Sequence, residues 1–185
     1  MKINTYSSYE EMCKHVVEDI RYAINFNMFS EYFTLGLATG STPLGIYKYM
    51  RDETWDAKKI TTYNLDEYCD LPYNHPHSYE HFMEENLFVY KQFRHSYFPT
   101  NDRYDDMIQN NGGIDIQILG IGTNGHIAFN EPGCSQDSTT RNVNLSENTR
   151  KDNSRFFPSL EQTPTFAYTM GISTIMKAKK IFLLG

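Results

Sequence analysis

The sequence lacks the features that mark several classes of protein. Its three cysteines are far apart and form no CxxC pair, which argues against a disulfide framework or a zinc knuckle. No apolar run approaches the ~20 residues that a membrane span requires, and the amino terminus does not resemble a secretion signal. Acidic residues outnumber basic ones by 23 to 17, so the chain as a whole repels nucleic-acid phosphates. We expect a cytoplasmic protein that binds neither nucleic acid nor a membrane.

The sequence also has no internal repeat, low-complexity tract or linker, so we expect one domain over residues 1–185. Apolar runs predict strands, and helices are predicted between them from apolar periodicity and capping signals such as Ser8 with Glu11. Thr42 is predicted to cap the second helix, with Pro43 as its first residue. This alternation predicts an α/β fold with a mostly parallel sheet. The predicted strands are residues 2–6, 33–38, 59–65, 114–121 and 180–184, and the predicted helices are residues 8–26, 43–50, 78–90 and 104–109.

Three polar motifs directly follow the second, third and fourth predicted strands. They are TGSTP from Thr39, the pair Asp66-Glu67, and the glycine-rich stretch of residues 120–133. In open α/β sheets, ligands bind beyond the carboxyl ends of the strands. We therefore expect one cleft to collect all three motifs.

TGSTP places Thr39, Gly40, Ser41 and Thr42 before a helix, where free backbone N–H groups favour an anion such as a phosphate. An ordinary capping turn is the alternative. Arg155 can grip a phosphate with two hydrogen bonds, although a surface ion pair is an equal interpretation of this arginine.

Two sets of residues suggest proton transfer. Asp66 or Glu67, at a strand end, can act as a base, or can simply be a turn or salt-bridge residue. His126 can shuttle a proton, with Glu131 accepting its other ring N–H and Asn124 close by. A metal site is not expected, because the only histidine cluster lacks acidic or cysteine partners; it comprises His75, His77 and His81.

Six segments together resemble the glucosamine-6-phosphate deaminase family, in its order and approximate spacing: LGLATGSTPLGIY, YNLDEYCDLP, HPHSYEHFM, GIGTNGHIAFNEPG, TRKDNSRFF and KKIFLLG. The resemblance implies a Rossmann-like open sheet with helices on both faces. It also implies conversion of glucosamine 6-phosphate and water to fructose 6-phosphate and ammonia, without a metal or organic cofactor.

The same resemblance assigns roles to the candidate residues. It implies that Asp66 moves a proton between C2 and C1 of the sugar and that His126 opens the ring, supported by Glu131. It further implies that Asn124 orients a neighbouring group without carrying charge. The phosphate would contact Ser41, Thr42 and the backbone around Gly40, with Arg155 as a charged clamp.

Two alternatives remain open. The related 6-phosphogluconolactonases also carry a phosphate turn and a glycine-histidine loop, but are expected to have DER and GHTASLFP-like segments where this chain has DEY and GHIAFNEP. The other alternative is a non-catalytic sugar-phosphate sensor or an inactive remnant.

The chain departs from the family pattern at two places. Family members continue for some fifty residues beyond Gly185 and supply a phosphate-binding lysine there, so we expect an incomplete carboxyl terminus without the last strand-helix units. Some members bind an activating sugar phosphate at an interface, which is compatible with a homo-oligomer. Here Arg141 is retained but Val143 replaces a lysine, so we expect such activation to be weak or absent.

Overall fold

The computed structural model describes residues 2–26, 32–72 and 74–185. Its helices are α1 (Tyr9–Phe26), α2 (Leu44–Asp52), α3 (Tyr79–Met83), which continues as a π-helical turn (Glu84–Phe88), α4 (Tyr104–Asn110), α5 (Glu147–Asn153) and α6 (Ile172–Met176). Its strands are β1 (Phe33–Leu37), β2 (Ile60–Asn64), β3 (Asp66–Tyr68), β4 (His95–Tyr97), β5 (Ile116–Gly120), β6 (Arg141–Asn144), β7 (Phe166–Thr169) and β8 (Lys180–Leu184).

The main sheet has five parallel strands in the order β4-β2-β1-β5-β8. Helices α1, α2 and α3 bury their apolar residues on one face, and α4 and α6 cover part of the other. Strand β1 is buried along its whole length, as expected for the centre of a parallel sheet. The predicted α/β fold with helices on both faces is therefore confirmed.

A second, antiparallel sheet of three short strands, in the order β3-β7-β6, adjoins the main one. Leu65 joins the two sheets, because its N–H donates to the Leu37 carbonyl of β1 while its own carbonyl accepts from Met170, which follows β7. Asp66 begins β3 directly after this junction. The backbone is thus held by hydrogen bonds on both sides of the point where Asp66 leaves the main sheet.

The strand predicted for residues 2–6 is absent, and this prediction was wrong. The segment has no regular structure, and Ile3 is 76 % exposed. A strand needs a partner edge and a buried face, and one exposed isoleucine among polar neighbours supplies neither.

Helix α2 begins later than predicted, at Leu44, and Pro43 rather than Thr42 occupies the capping position without a side-chain hydrogen bond. Tyr9 of α1 replaces the missing cap. Its hydroxyl accepts from the Gly45 N–H at 2.8 Å and donates to the Thr42 carbonyl at 2.8 Å. A distant side chain thus satisfies groups that a local cap usually serves.

No helix in the described part of the chain is long and apolar enough to cross a membrane.

Candidate active site

A cleft of about 550 Å³ opens at the carboxyl-terminal edge of the parallel sheet, between the ends of β1, β2 and β5. All three predicted motifs reach it, so their expected convergence is confirmed. Asn124 and Glu131 do not line the cleft, but are joined to His126, which does. The predicted site residues that line the cleft are Thr39, Gly40, Ser41, Thr42, Asp66, His126 and Arg155.

The turn between β1 and α2 presents unused hydrogen-bond donors. Gly40 has φ +92°, which turns the chain at a position where other residues are strained. The N–H groups and side-chain hydroxyls of residues 39–42 donate to no acceptor among the described residues. At the start of a nine-residue helix, such donors can hold an anion.

Asp66 lines the cleft, and the residue as a whole is only 6 % exposed. Burial, and secondarily the neighbouring charge of Glu67, raise the pKa of Asp66 to about 8. No described residue donates a hydrogen bond to this carboxyl group to offset its burial. A carboxyl group with a raised pKa in a cleft is suited to taking up and returning a proton.

Glu67, the other candidate base, is engaged elsewhere. Its carboxylate accepts from the backbone N–H groups of Tyr79 at 3.0 Å and Glu80 at 2.8 Å, and so holds the start of α3. Its Oε1 also accepts from the N–H of Tyr68 at 2.8 Å. The structure therefore separates the acidic pair into one carboxyl group that faces the cleft and one that supports a helix.

In the loop after β5, the His126 side chain packs against the backbone of the same loop at Gly122. The Gly122 N–H donates to the His126 carbonyl at 2.9 Å, and Gly125 takes φ +88° between them. A side chain at position 122 would place its Cβ 2.2–2.4 Å from atoms of the His126 ring. The missing side chain at Gly122 is thus what makes room for the imidazole.

Glu131 does not contact the His126 ring, contrary to the expected direct pairing. Asn124 lies between them: its Oδ1 is 2.7 Å from His126 Nδ1, and its Nδ2 donates to Glu131 Oε2 at 2.8 Å. Because an amide has an acceptor at one end and a donor at the other, Asn124 can connect an imidazole N–H to a carboxylate.

Glu131 is held at its other oxygen by the start of α5. Ser146 Oγ donates to Oε1 at 2.8 Å, and the Thr149 hydroxyl donates to the same atom. Burial raises the pKa of Glu131, but the hydrogen bonds from Thr149, Asn124 and Ser146, with the charge of His126, outweigh burial and lower it overall. Glu131 is therefore a carboxylate near neutral pH.

Arg155 follows α5 and lines the cleft. Its guanidinium lies 4.7 Å from the Phe156 ring centroid and makes no ion pair with any described residue. Of the two interpretations of this side chain, the surface ion pair is not observed. Its charge is available to an anion in the cleft.

Several residues of the site were not anticipated from the sequence. Tyr68 and Asn153 line the cleft and bond to each other, with Asn153 Nδ2 donating to the Tyr68 hydroxyl at 3.1 Å. Ser146 was detectable in principle, because a serine before an acidic first turn is an N-cap signal, and it does accept from the Thr149 N–H. Tyr68 carries no such local signal.

The three histidines of the cluster contact each other or other parts of the protein. His81 pairs with Glu85 at 3.3 Å, and His75 accepts from the N–H of His77. Among the residues that the structure describes, no three metal-ligating side chains form a group that could hold an ion.

Arg141, retained from the proposed effector site, is occupied within its own loop. It donates to Asn130 Oδ1 at 3.0 Å and contacts Cys134 Sγ at 3.1 Å. Val143 packs into the apolar cluster around Tyr68 and Phe129. Weak or absent activation by a sugar phosphate stays a prediction.

Comparison with known proteins agrees with this geometry. The family model described as glucosamine-6-phosphate isomerases/6-phosphogluconolactonase matches residues 5–185. A glucosamine-6-phosphate deaminase from Exiguobacterium sibiricum is 52 % identical over 164 residues, which cover 84 % of this chain and 65 % of that protein. One from Listeria monocytogenes is 50 % identical over 84 % of this chain and 70 % of its own length. The chain thus spans roughly two thirds of these relatives.

Solved structures show the same fold. A monomeric glucosamine-6-phosphate deaminase superposes with a TM-score of 0.88 at 38 % identity, covering 99 % of this chain and 81 % of that one. A 6-phosphogluconolactonase from Shewanella baltica superposes with a TM-score of 0.74 at 16 % identity, over 96 % of this chain and 78 % of its own. At that identity, the likeness to the lactonase concerns the fold alone.

Proposed function

Because the chain belongs to the glucosamine-6-phosphate isomerase/6-phosphogluconolactonase family, we propose that it converts glucosamine 6-phosphate and water into fructose 6-phosphate and ammonia, a step in the breakdown of amino sugars. One observation carries the proposal: Asp66, His126 and the donors of residues 39–42 line the same cleft. The substrate offers a phosphate at one end and reacting carbons at the other, which matches this distribution of groups.

The phosphate binds at the turn of residues 39–42. The free N–H groups there face a dianion at the positive end of α2, and Arg155, just after α5, supplies a positive charge from the lining of the same cleft. The chemistry at C1 and C2 then takes place at the other end of the cleft, beside Asp66.

His126 opens the sugar ring. Its Nε2, which is not engaged by Asn124, takes the proton of the C1 hydroxyl and returns it to the ring oxygen as the bond from C1 to that oxygen breaks. The product is the open-chain aldehyde, on which isomerisation can begin.

Asp66 then moves a proton between the two carbons. As a carboxylate it removes the proton from C2, while the aldehyde oxygen takes up a proton that the substrate ammonium group releases. The resulting neutral enolamine receives the proton at C1 from Asp66, which leaves a protonated imine at C2. Water adds to this imine, and ammonia leaves as the ketone forms. A substrate ammonium group near Asp66 favours its charged form, which the base requires.

A 6-phosphogluconolactonase is the second enzymatic candidate, and the distant structural likeness supports no more than the shared fold. The relay from His126 through Asn124 to Glu131 favours the deaminase, because Glu131 belongs to the GHIAFNEP segment expected only in that family. The remaining alternative is a sensor that binds the sugar phosphate without turnover.

The deciding experiment incubates the purified chain separately with glucosamine 6-phosphate and with 6-phosphogluconolactone. We expect ammonia and fructose 6-phosphate in equal amounts from the first, and no lactone hydrolysis above the spontaneous rate. Lactone hydrolysis without ammonia would establish the second candidate, and calorimetric binding of the amino sugar phosphate without turnover would establish the sensor.

Replacing Arg155 with glutamine should weaken substrate binding. A charge-assisted hydrogen bond contributes about 1.5–3 kcal/mol, so KM is expected to rise roughly ten- to a hundredfold with a smaller change in kcat. Lys151→Gln is the matched control: it removes a cation from α5, just before Arg155, but one that is paired with Glu147 and lies outside the cleft. An equal rise in KM for both variants would show that general charge, rather than the Arg155 clamp, attracts the substrate.

A further inference from the structure

We propose that Thr149 and Ser146 are positioning residues for His126, acting at a distance through Glu131 and Asn124. The inference rests on the proposed role of His126 in the deaminase reaction. It concerns two hydroxyl groups at the start of α5 that line neither the cleft nor the substrate phosphate site.

The two hydroxyls converge on one carboxylate oxygen. Thr149 is 3 % exposed, and its Oγ1 donates to Glu131 Oε1. Ser146 Oγ lies 2.8 Å from the same oxygen and 3.0 Å from Thr149 Oγ1. Since Oε2 accepts from Asn124 as well, both oxygens of Glu131 act as acceptors, which only the ionised carboxylate can do fully.

An ionised and immobile Glu131 fixes the orientation of the Asn124 amide. A carboxylate accepts hydrogen bonds but cannot donate them, so the amide must turn its NH₂ group toward Glu131 and its oxygen toward His126. The same oxygen accepts from the backbone N–H of His126 at 3.2 Å, which further favours this orientation.

The orientation of Asn124 in turn selects the tautomer of His126. An amide oxygen 2.7 Å from Nδ1 requires the proton on Nδ1, which leaves a lone pair on Nε2. That is the form of neutral imidazole that can act as a base on the cleft side. If Glu131 became neutral or mobile, Asn124 could reverse and the proton could move to Nε2.

Other charged groups near this end of the cleft are differently engaged. Asp152 accepts from the Thr123 hydroxyl at 3.2 Å, and Arg155 and Asp66 line the cleft without a bond to His126 or Glu131. The connection from α5 to the imidazole therefore runs through Glu131 and Asn124.

The test compares Thr149→Val, which removes the hydroxyl at nearly constant shape, with Thr149→Ser, which keeps it. At pH 8, ¹⁵N chemical shifts of histidine-labelled protein are expected to show His126 as the Nδ1–H tautomer in the wild type and in Thr149→Ser. In Thr149→Val, a mixture of tautomers is expected, with kcat lowered about tenfold and KM within about twofold. The His126→Gln spectrum identifies the resonances.

The outcomes separate this inference from the proposed function. Failure of the wild type to release ammonia would refute the function, while the tautomer comparison would still test the relay. A Thr149→Val variant with the wild-type tautomer and kcat would overturn the inference, even if its stability fell. Should Thr149→Val not fold, Ser146→Ala removes the second hydroxyl from the same oxygen and is expected to change the tautomer ratio in the same direction.

Discussion

The variant Asp66→Asn is expected to lose about 10³-fold in kcat while still binding substrate. An amide of the same size cannot take the proton from C2, and removal of a general base typically costs 10²–10⁴-fold. The phosphate turn and Arg155 are untouched, so KM should change little. Ammonia release followed by steady-state kinetics measures both constants.

Glu67→Gln is the matched control, because it alters the adjacent carboxylate of the same strand. Glutamine has one acceptor oxygen, which can keep the bonds from the Tyr68 and Tyr79 N–H groups but not the bond from Glu80. Some stability should be lost at the start of α3, but activity should stay within severalfold of the wild type. Removing the charge of Glu67 should also lower the pKa of Asp66, shifting the rise of kcat/KM with pH to lower pH. Equal losses in both variants would contradict the assignment of Asp66 as the base.

The variant Asp66→Asn should also make the protein more stable at neutral pH. The pKa of Asp66 is about 8 in the folded protein against 3.8 as the ordinary value, so the folded state binds this proton more tightly than the unfolded state. Asp66 therefore leaves the free energy of unfolding at its highest value below about pH 4 and lowers it as pH rises toward 8. Asparagine removes the decline, and urea unfolding at pH 7–8 should show a gain of about 4–5 kcal/mol that vanishes near pH 4.

Gly122→Ala should reduce kcat about a hundredfold without unfolding the protein. The new Cβ would lie 2.2 Å from the nearest atom of the His126 ring, so the ring must rotate away from Asn124. A displacement of about 1 Å in a catalytic group can cost 10²-fold, whereas a movable side chain limits the loss of stability. Thermal unfolding and kinetics on the same preparation separate the two effects.

Gly120→Ala is the corresponding control at the end of β5, two residues before Gly122. There the added Cβ would make only ordinary contact with Thr42, at 3.6 Å, and would not reach His126. We expect kcat within about threefold of the wild type. If Gly122→Ala behaved like Gly120→Ala, His126 would not depend on the space left by Gly122.

Four of the five strands of the main sheet were predictable, mainly because they form buried or apolar runs, but the short and mostly exposed β4 was missed. Strands β1, β2 and β5 are nearly continuous buried runs, and β8 also stood out as an apolar stretch. The antiparallel sheet was missed for the opposite reason. Strands β3 and β6 have the sequences DEY and RNVN, whose polar residues are uncommon in strands, and β3 depends on pairing with β7 about a hundred residues away. Such strands are made by tertiary contacts rather than local sequence.

The candidate site was likewise predictable in part from the sequence. The positions of Asp66, His126 and residues 39–42 followed from one rule about strand ends, which requires only the order of motifs along the chain. The contacts of Asn124, and the separate fates of Asp66 and Glu67, depend on side-chain directions that no spacing encodes. The expected direct bond between His126 and Glu131 was wrong because it ignored the amide between them.

The tyrosine that completes the start of α2 has a consequence for the amino-terminal helix. Tyr9 belongs to α1, yet its hydroxyl closes the turn whose free donors face the cleft. Any anion that orders this turn must also strengthen the attachment of α1 to the rest of the chain, since linked equilibria act in both directions. Anion binding in the cleft and the resistance of α1 to local unfolding are therefore linked by a single coupling free energy.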